Sequence, residues 1–213
     1  MPNPRVIYLH GFASSPKSRK AQFFAGKLSE AKFSVVVPDL AAGDFEHLTI
    51  SGQLRIVETL LAEGPAILFG SSMGGYLAGL AAARQPENVS KVVLLAPAFG
   101  FHDLRTKEIS QERLETWRKN GTISVFHYGE GKEVPLAFDL MEDAVRFKAF
   151  PDVRQPGLLF HGIEDPLVPV EQSRRYVANR SNILLKEFRS GHELTDVSDD
   201  MWRTTRQFLL GGL

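Results

Sequence analysis

The chain has no cysteine among its 213 residues. Disulfide frameworks, thiolate metal sites and cysteine nucleophiles are excluded, while the lack of thiols leaves the redox compartment open. Net charge is also absent, with 25 Lys and Arg against 25 Asp and Glu. The densest basic groups are Lys17, Arg19 and Lys20 and the pair Arg174-Arg175, too scattered to track a phosphate backbone, so no nucleic-acid partner is expected. Long apolar runs are missing too. The apolar stretches are of strand length, short of the roughly 20 residues that cross a bilayer, so no membrane span is expected. Met1-Pro2-Asn3-Pro4-Arg5 runs straight into Val6-Ile7-Tyr8-Leu9 with no apolar segment ending at a cleavage site, which places the expected location in the cytoplasm.

What is present fits a folded domain. Hydrophobic residues make up 43% and charged residues 23%, which excludes a disordered chain. A chain of this length buries roughly 70% of its unfolded surface, enough for a core without staples. No repeat, heptad run or linker marks a second domain, so one domain over 1–213 is expected. Short β-branched runs alternate with segments of helical period. Strands are predicted at 6–9, 33–37, 66–69, 91–96, 157–161 and 183–188, and helices at 17–32 and 49–61. Ser198 or Asp196, followed by Asp199 and Asp200, is expected to open a last helix. This alternation predicts an α/β class: a doubly wound, mainly parallel six-stranded sheet with helices on both faces.

The segment between 96 and 157 is too long for a crossover, and its excess, about 99–150, is expected to form a small helical cap. Helices are predicted there at 110–119 and 137–150, around a loop punctuated by Gly121, Gly129 and Gly131. Its aromatics, among them Phe101, Trp117, Phe138 and Phe147, are expected to give the insert a small core, with some lining a pocket.

Gly70-Ser71-Ser72-Met73-Gly74 follows the apolar run 66–69 and precedes a helix rich in small residues. This is the Gly-x-Ser-x-Gly pattern at a strand-to-helix turn, where flanking glycines allow close packing while the Ser72 hydroxyl projects from the sheet edge. Serine is a poor nucleophile near neutral pH, so it needs a base, and the base needs an orienting group. Of six histidines, His192 in Ser190-Gly191-His192-Glu193 lies between the last strand and the last helix, at the same sheet edge. His10 and His161 read as turn residues at strand ends, and His47, His102 and His127 fall in loops or the insert. Asp165, held extended before Pro166, is the preferred orienting acid, with Glu164 its competitor. The developing oxyanion needs two NH donors. Met73 supplies one, and the His10-Gly11-Phe12-Ala13 loop supplies the other, with Phe12 preferred over the neighbouring Ala13 because Gly11 can turn its NH toward Ser72.

Over residues 5–210 the sequence resembles the α/β-hydrolase fold serine hydrolases, in which the order Ser72, Asp165, His192 is the family order. The combination His10-Gly11-Phe12-x-Ser14-Ser15, Gly70-Ser71-Ser72-Met73-Gly74-Gly75 and His161-Gly162-x-x-Asp165-x-x-Val168-Pro169 resembles the short bacterial esterases of the YqiA type. It is also similar to small acyl-protein thioesterases. The resemblance implies hydrolysis of carboxylic esters or thioesters through an acyl-serine intermediate, without metal or organic cofactor. The six strands differ from the usual eight by lacking the first two. The expected function is cleavage of esters of small to medium acyl groups by Ser72, His192 and Asp165, with an acyl thioesterase as the alternative and a non-catalytic ligand-binding module as the reading from a different class.

Overall fold

The computed structural model describes residues 3–211. Along the chain lie β1 (Arg5–Leu9), α1 (Arg19–Glu30), β2 (Ser34–Val36), α2 (Ile50–Ala62), β3 (Ala66–Ser71), α3 (Met73–Arg84), β4 (Val89–Leu95) and α4 (Phe101–Glu108). They are followed by α5 (Gln111–Asn120), β5 (Thr122–His127), β6 (Lys132–Ala137), α6 (Asp139–Ala144), β7 (Gly157–Gly162), α7 (Val170–Val177), β8 (Ile183–Phe188) and α8 (Ser198–Leu210). Side chains alternate along each strand. Ile7, Leu9 and Leu68 enter one core with Leu54 and Val57 of α2, Leu77 of α3 and Tyr176 of α7. Val6, Tyr8, Ile67 and Phe69 enter the other with Phe24 and Leu28 of α1 and Met201 and Phe208 of α8. A strand buried on both faces must be apolar throughout, which is why β3 reads Ala-Ile-Leu-Phe-Gly-Ser with every residue buried.

The sheet has six strands in the order β2-β1-β3-β4-β7-β8, and every neighbouring pair is parallel. Ile7 lies opposite Leu68, and Phe69 opposite Val93. The order reverses at β1/β3. Open α/β sheets place ligands at the carboxyl ends of the strands flanking such a switch point. Here those ends carry the loop after β1 and Ser72 after β3. Ser18 caps α1 by accepting from the Ala21 NH at 3.3 Å, and Thr49 caps α2 by accepting from Gly52 at 3.0 Å. Each cap contributes about 1 kcal/mol.

Several expectations need correction. The start of α8 has no side-chain cap: the Ser198 hydroxyl donates to the Thr195 carbonyl, and Asp196 accepts from Ser190 instead. The insert is also less helical than its sequence predicts. Residues 122–137 form an antiparallel hairpin rather than a glycine loop, with Ile123 opposite Leu136 and the chain reversing near Gly131, whose φ is +67°. Pro135 fits because both strands of a two-stranded ribbon are edges, where a missing NH need not break a ladder. The predicted helix at 137–150 shrinks to α6, because Ala137 pairs in the hairpin and the Phe138 NH donates to the Gly121 carbonyl. The helix α4 carries little apolar periodicity and was not predicted. Trp117, Leu136, Phe138 and Leu140 join the same core as Leu9 and Leu77, so the insert extends the main core rather than building its own.

Candidate active site

The elbow at Ser72 is forced by backbone crowding. Its φ is +54° with ψ −118°, a conformation that costs a non-glycine residue about 1–3 kcal/mol and survives only where the surroundings over-determine it. They do so here: the Ser72 NH donates to Leu95 O at 2.8 Å, and its carbonyl accepts from Tyr76 at 3.1 Å and Ala98 at 3.0 Å. A Cβ on Gly70 would lie 2.2 Å from Gly74 O, and one on Gly74 would lie 2.1 Å from Leu9 O. Both glycines are therefore steric requirements for α3 to approach β1 and β3.

The Ser72 hydroxyl faces His192 Nε2 at 3.0 Å, and His192 Nδ1 faces Asp165 Oδ2 at 2.7 Å. The three residues come from the ends of β3, β7 and β8, and form one hydrogen-bonded chain. Loop packing explains why the last two meet. The Ser190 carbonyl accepts from the Glu164 NH at 3.1 Å, and a side chain at Gly162 would strike that carbonyl at 2.2 Å. Glu164 does not compete for the imidazole. Its carboxylate is exposed and pairs with Arg189 at 2.9 Å.

Asp165 accepts three hydrogen bonds and has a fourth NH group nearby. Leu167 and Val168 NH groups reach Oδ1 at 2.9 Å each, and His161 Nε2 lies 3.3 Å from Oδ2, alongside His192. Burial of this carboxylate opposes its ionisation, but hydrogen bonds from His161 and His192 outweigh that cost and hold its pKa well below the usual carboxylate range.

His161 was read from sequence as a turn residue and proves to be fully buried in β7. His10 was read likewise and is also buried. It hydrogen-bonds Gly11 O through Nδ1 at 3.0 Å and accepts the Leu40 NH at 3.4 Å, a neutral role that fits its burial-depressed pKa. His47 and His102 pair with the carboxylates of Asp44 and Asp103 at the surface. His127 is buried in the hairpin, edge-on to Phe45 with ring centres 4.7 Å apart.

Met73, at the first helical position, and Phe12, after β1, have NH groups that meet no protein acceptor among the described residues. A Cβ on Gly11 would stand 3.5 Å from Ser72 Cβ, so the Phe12 loop lies against the hydroxyl-bearing residue. The Ala13 NH is equally without an acceptor, while the Ala13 carbonyl is taken by Tyr128 at 2.8 Å. The Phe12 ring packs on Phe45 at 5.7 Å and Phe101 at 6.1 Å, an apolar wall beside the site.

Sequence reasoning missed a polar cluster behind the elbow. Lys20 of α1 is only 8% exposed, donates to the Ser71 hydroxyl at 3.1 Å and faces Glu193 at 3.6 Å. Burial pushes its pKa down while Glu193 and Asp165 oppose that shift. It ties α1 to the residues next to Ser72 and His192. The polar stripe on an otherwise apolar helix face was its only signal. A cavity of about 350 Å³ between the segment 40–49 and α2, lined by Leu40, Asp44, His47, Gln53 and Ile56, includes neither Ser72 nor His192. Among the described residues, no group of three or more His, Asp or Glu is arranged to hold a metal ion, and no helix is long and apolar enough to cross a membrane.

The chain is similar to the mitochondrial palmitoyl-protein thioesterase ABHD10 of Bos taurus, 27% identical over 92% of this chain and 69% of that protein. It is 26% identical to the monoacylglycerol lipase abhd6-B of Xenopus laevis over 78% of this chain and 50% of that one. The solved structure of mouse alpha/beta hydrolase domain-containing protein 10 superposes with a TM-score of 0.81 at 20% identity, covering 97% of this chain and 89% of that chain. The fold is therefore that of an α/β hydrolase. With residues 5–209 matched by its family, the chain belongs to the uncharacterised protein family UPF0227, the YqiA type that its sequence resembles.

Proposed function

We propose that this protein is a serine hydrolase that cleaves carboxylic esters of small to medium acyl groups through an acyl-serine intermediate. His192 deprotonates Ser72 as it attacks the acyl carbonyl, and Asp165 holds the imidazole with Nδ1 protonated so that Nε2 accepts. The Met73 and Phe12 NH groups stabilise the oxyanion, and His192 then protonates the leaving group. Water, activated by His192, releases the acid. The observation that carries this reading is the continuous chain Ser72 to His192 to Asp165, at 3.0 and 2.7 Å, on a strained elbow. A binding module would have no use for that strain.

A second reading is favoured by one relative. The similarity to a protein named as a palmitoyl-protein thioesterase supports acyl thioesters as substrates, with Phe12, Phe45 and Phe101 as the wall along which an acyl chain lies. Initial rates on matched acyl esters and acyl thioesters of increasing chain length separate the two, with the Ser72→Ala protein as blank. Faster turnover of short esters supports the first reading, and preference for long acyl thioesters supports the second. A Ser72→Ala protein as active as the parent overturns both. The proposed location is the cytoplasm, which subcellular fractionation tests.

A further inference from the structure

Asp165 serves two imidazoles, and the mechanism above uses only one. His161 Nε2 lies 2.8 Å from Val168 O and 3.3 Å from Asp165 Oδ2. A carbonyl oxygen only accepts, so Nε2 carries a proton whatever the state of Nδ1, and that proton, hydrogen-bonded to the Val168 carbonyl, also faces the carboxylate. The ring cannot swing away. Its Nδ1 is 2.6 Å from the Ser173 hydroxyl, and the His161, Asp165 and Ser173 side chains have no exposed surface. His161 lies at the end of β7 and Ser173 in α7, so the pair clamps both ends of the loop that carries Asp165.

We infer that His161, held by Ser173, is a positioning residue for the Asp165 carboxylate: its Nε2 proton fixes Oδ2 and draws off part of the charge that His192 feels. This rests on the proposed triad and adds a residue to it. The two backbone donors hold Oδ1 but place no proton at Oδ2. His192 cannot hold Oδ2 independently, because its own pose depends on Asp165. Among the described residues, His161 is the one side-chain NH besides His192 found close to Oδ2. Sharing Oδ2 also lowers the stabilisation of a His192 imidazolium. Other ionisable groups around the cluster are Lys20 on α1, Glu193 beside His192, the Tyr8 phenol on β1, Glu187 on β8 with its partner Arg174 on α7, and Asp196 after β8, and none of them hydrogen-bonds the Asp165 carboxylate.

The test compares the full-length parent with His161→Met, which removes the donor, His161→Gln, which restores an NH near Nε2, and Ser173→Ala, which frees the ring. Two readouts are taken: the pH dependence of kcat/KM on a short acyl ester, and NMR titration of the His192 ring, which needs no turnover. In His161→Met, kcat falls between about 10- and 100-fold with KM changed less than about twofold. The His192 midpoint and the acidic limb both move to higher pH, since an undiluted carboxylate favours the imidazolium. His161→Gln returns both toward the parent, and Ser173→Ala moves them part of the way. Equal losses in Met and Gln variants with an unmoved midpoint mean a structural role only and overturn the inference, as does a folded Met variant that behaves like the parent. Should His161→Met not fold, an unmoved midpoint in Ser173→Ala overturns it instead. A parent with no Ser72-dependent hydrolysis refutes the proposed function, and the NMR midpoints still decide the role of His161.

Discussion

Replacing Asp165 with Asn tests the orientation of His192 with almost no change in volume. The carboxylate sits in an asymmetric donor field: Oδ1 receives two backbone NH groups, and Oδ2 receives His192 at 2.7 Å. An amide has one acceptor, and its oxygen must take the Oδ1 place, because an NH2 there would meet the Leu167 and Val168 NH groups head-on. The NH2 then faces His192 Nδ1. That nitrogen can meet it only by giving up its proton, which moves the proton to Nε2 and points it at Ser72 Oγ, 3.0 Å away. The same NH2 faces the His161 Nε2 proton, for which it is no acceptor. An imidazole locked in that tautomer cannot act as base. The expected loss is about 10⁴-fold in kcat, equivalent to about 5.5 kcal/mol of transition-state stabilisation. The assay is initial rate on a short acyl ester, together with the labelling rate of Ser72 by a fluorophosphonate, with a thermal melt to show that the variant is folded. An Asn variant within about tenfold of the parent in both rates refutes the assigned tautomer and with it the role of Asp165.

Asp165 also sets a pH dependence of stability. Its folded pKa is depressed, so the unfolded chain binds more protons; the contribution is complete above about pH 4 and is lost as pH falls below that. Urea unfolding of parent and Asp165→Asn should differ most near neutral pH and converge in acid, and a gap that stays constant with pH contradicts the assignment. Two glycines should respond to alanine with opposite sign. Gly74→Ala drives a Cβ to 2.1 Å from Leu9 O and should cost more than about 3 kcal/mol or abolish folding. Gly26→Ala, inside α1 with nothing within 4 Å of the new Cβ, should add about 0.5–1 kcal/mol. Chemical denaturation reads both, and a tolerated Gly74→Ala would mean that α3 does not approach β1 as described.

What could be read from sequence was what local chemistry decides. The six sheet strands are apolar runs ended by Gly, Pro or polar residues. The elbow is visible because Gly70 and Gly74 are needed within five residues of one another. Ser72, Asp165 and His192 were expected to meet because each follows a strand whose carboxyl end lies at one sheet edge, and their side chains do come within hydrogen-bond reach. The hairpin 122–137 was not legible, since its alternation is broken by Pro135 and its glycines read as loop; only pairing of Val125 with Val134 reveals two strands. His161 was hidden for a related reason. A histidine before glycine looks like a turn, and its burial depends on Ser173 and Val168 arriving from α7 and the loop before it. Yet the spacing His161-Gly-x-x-Asp165 held a usable signal. A histidine ending a strand four residues before an acid must either leave the sheet or donate to something at its edge. In the proposed triad, the second course brings an NH group to 3.3 Å from the same Asp165 oxygen that His192 meets.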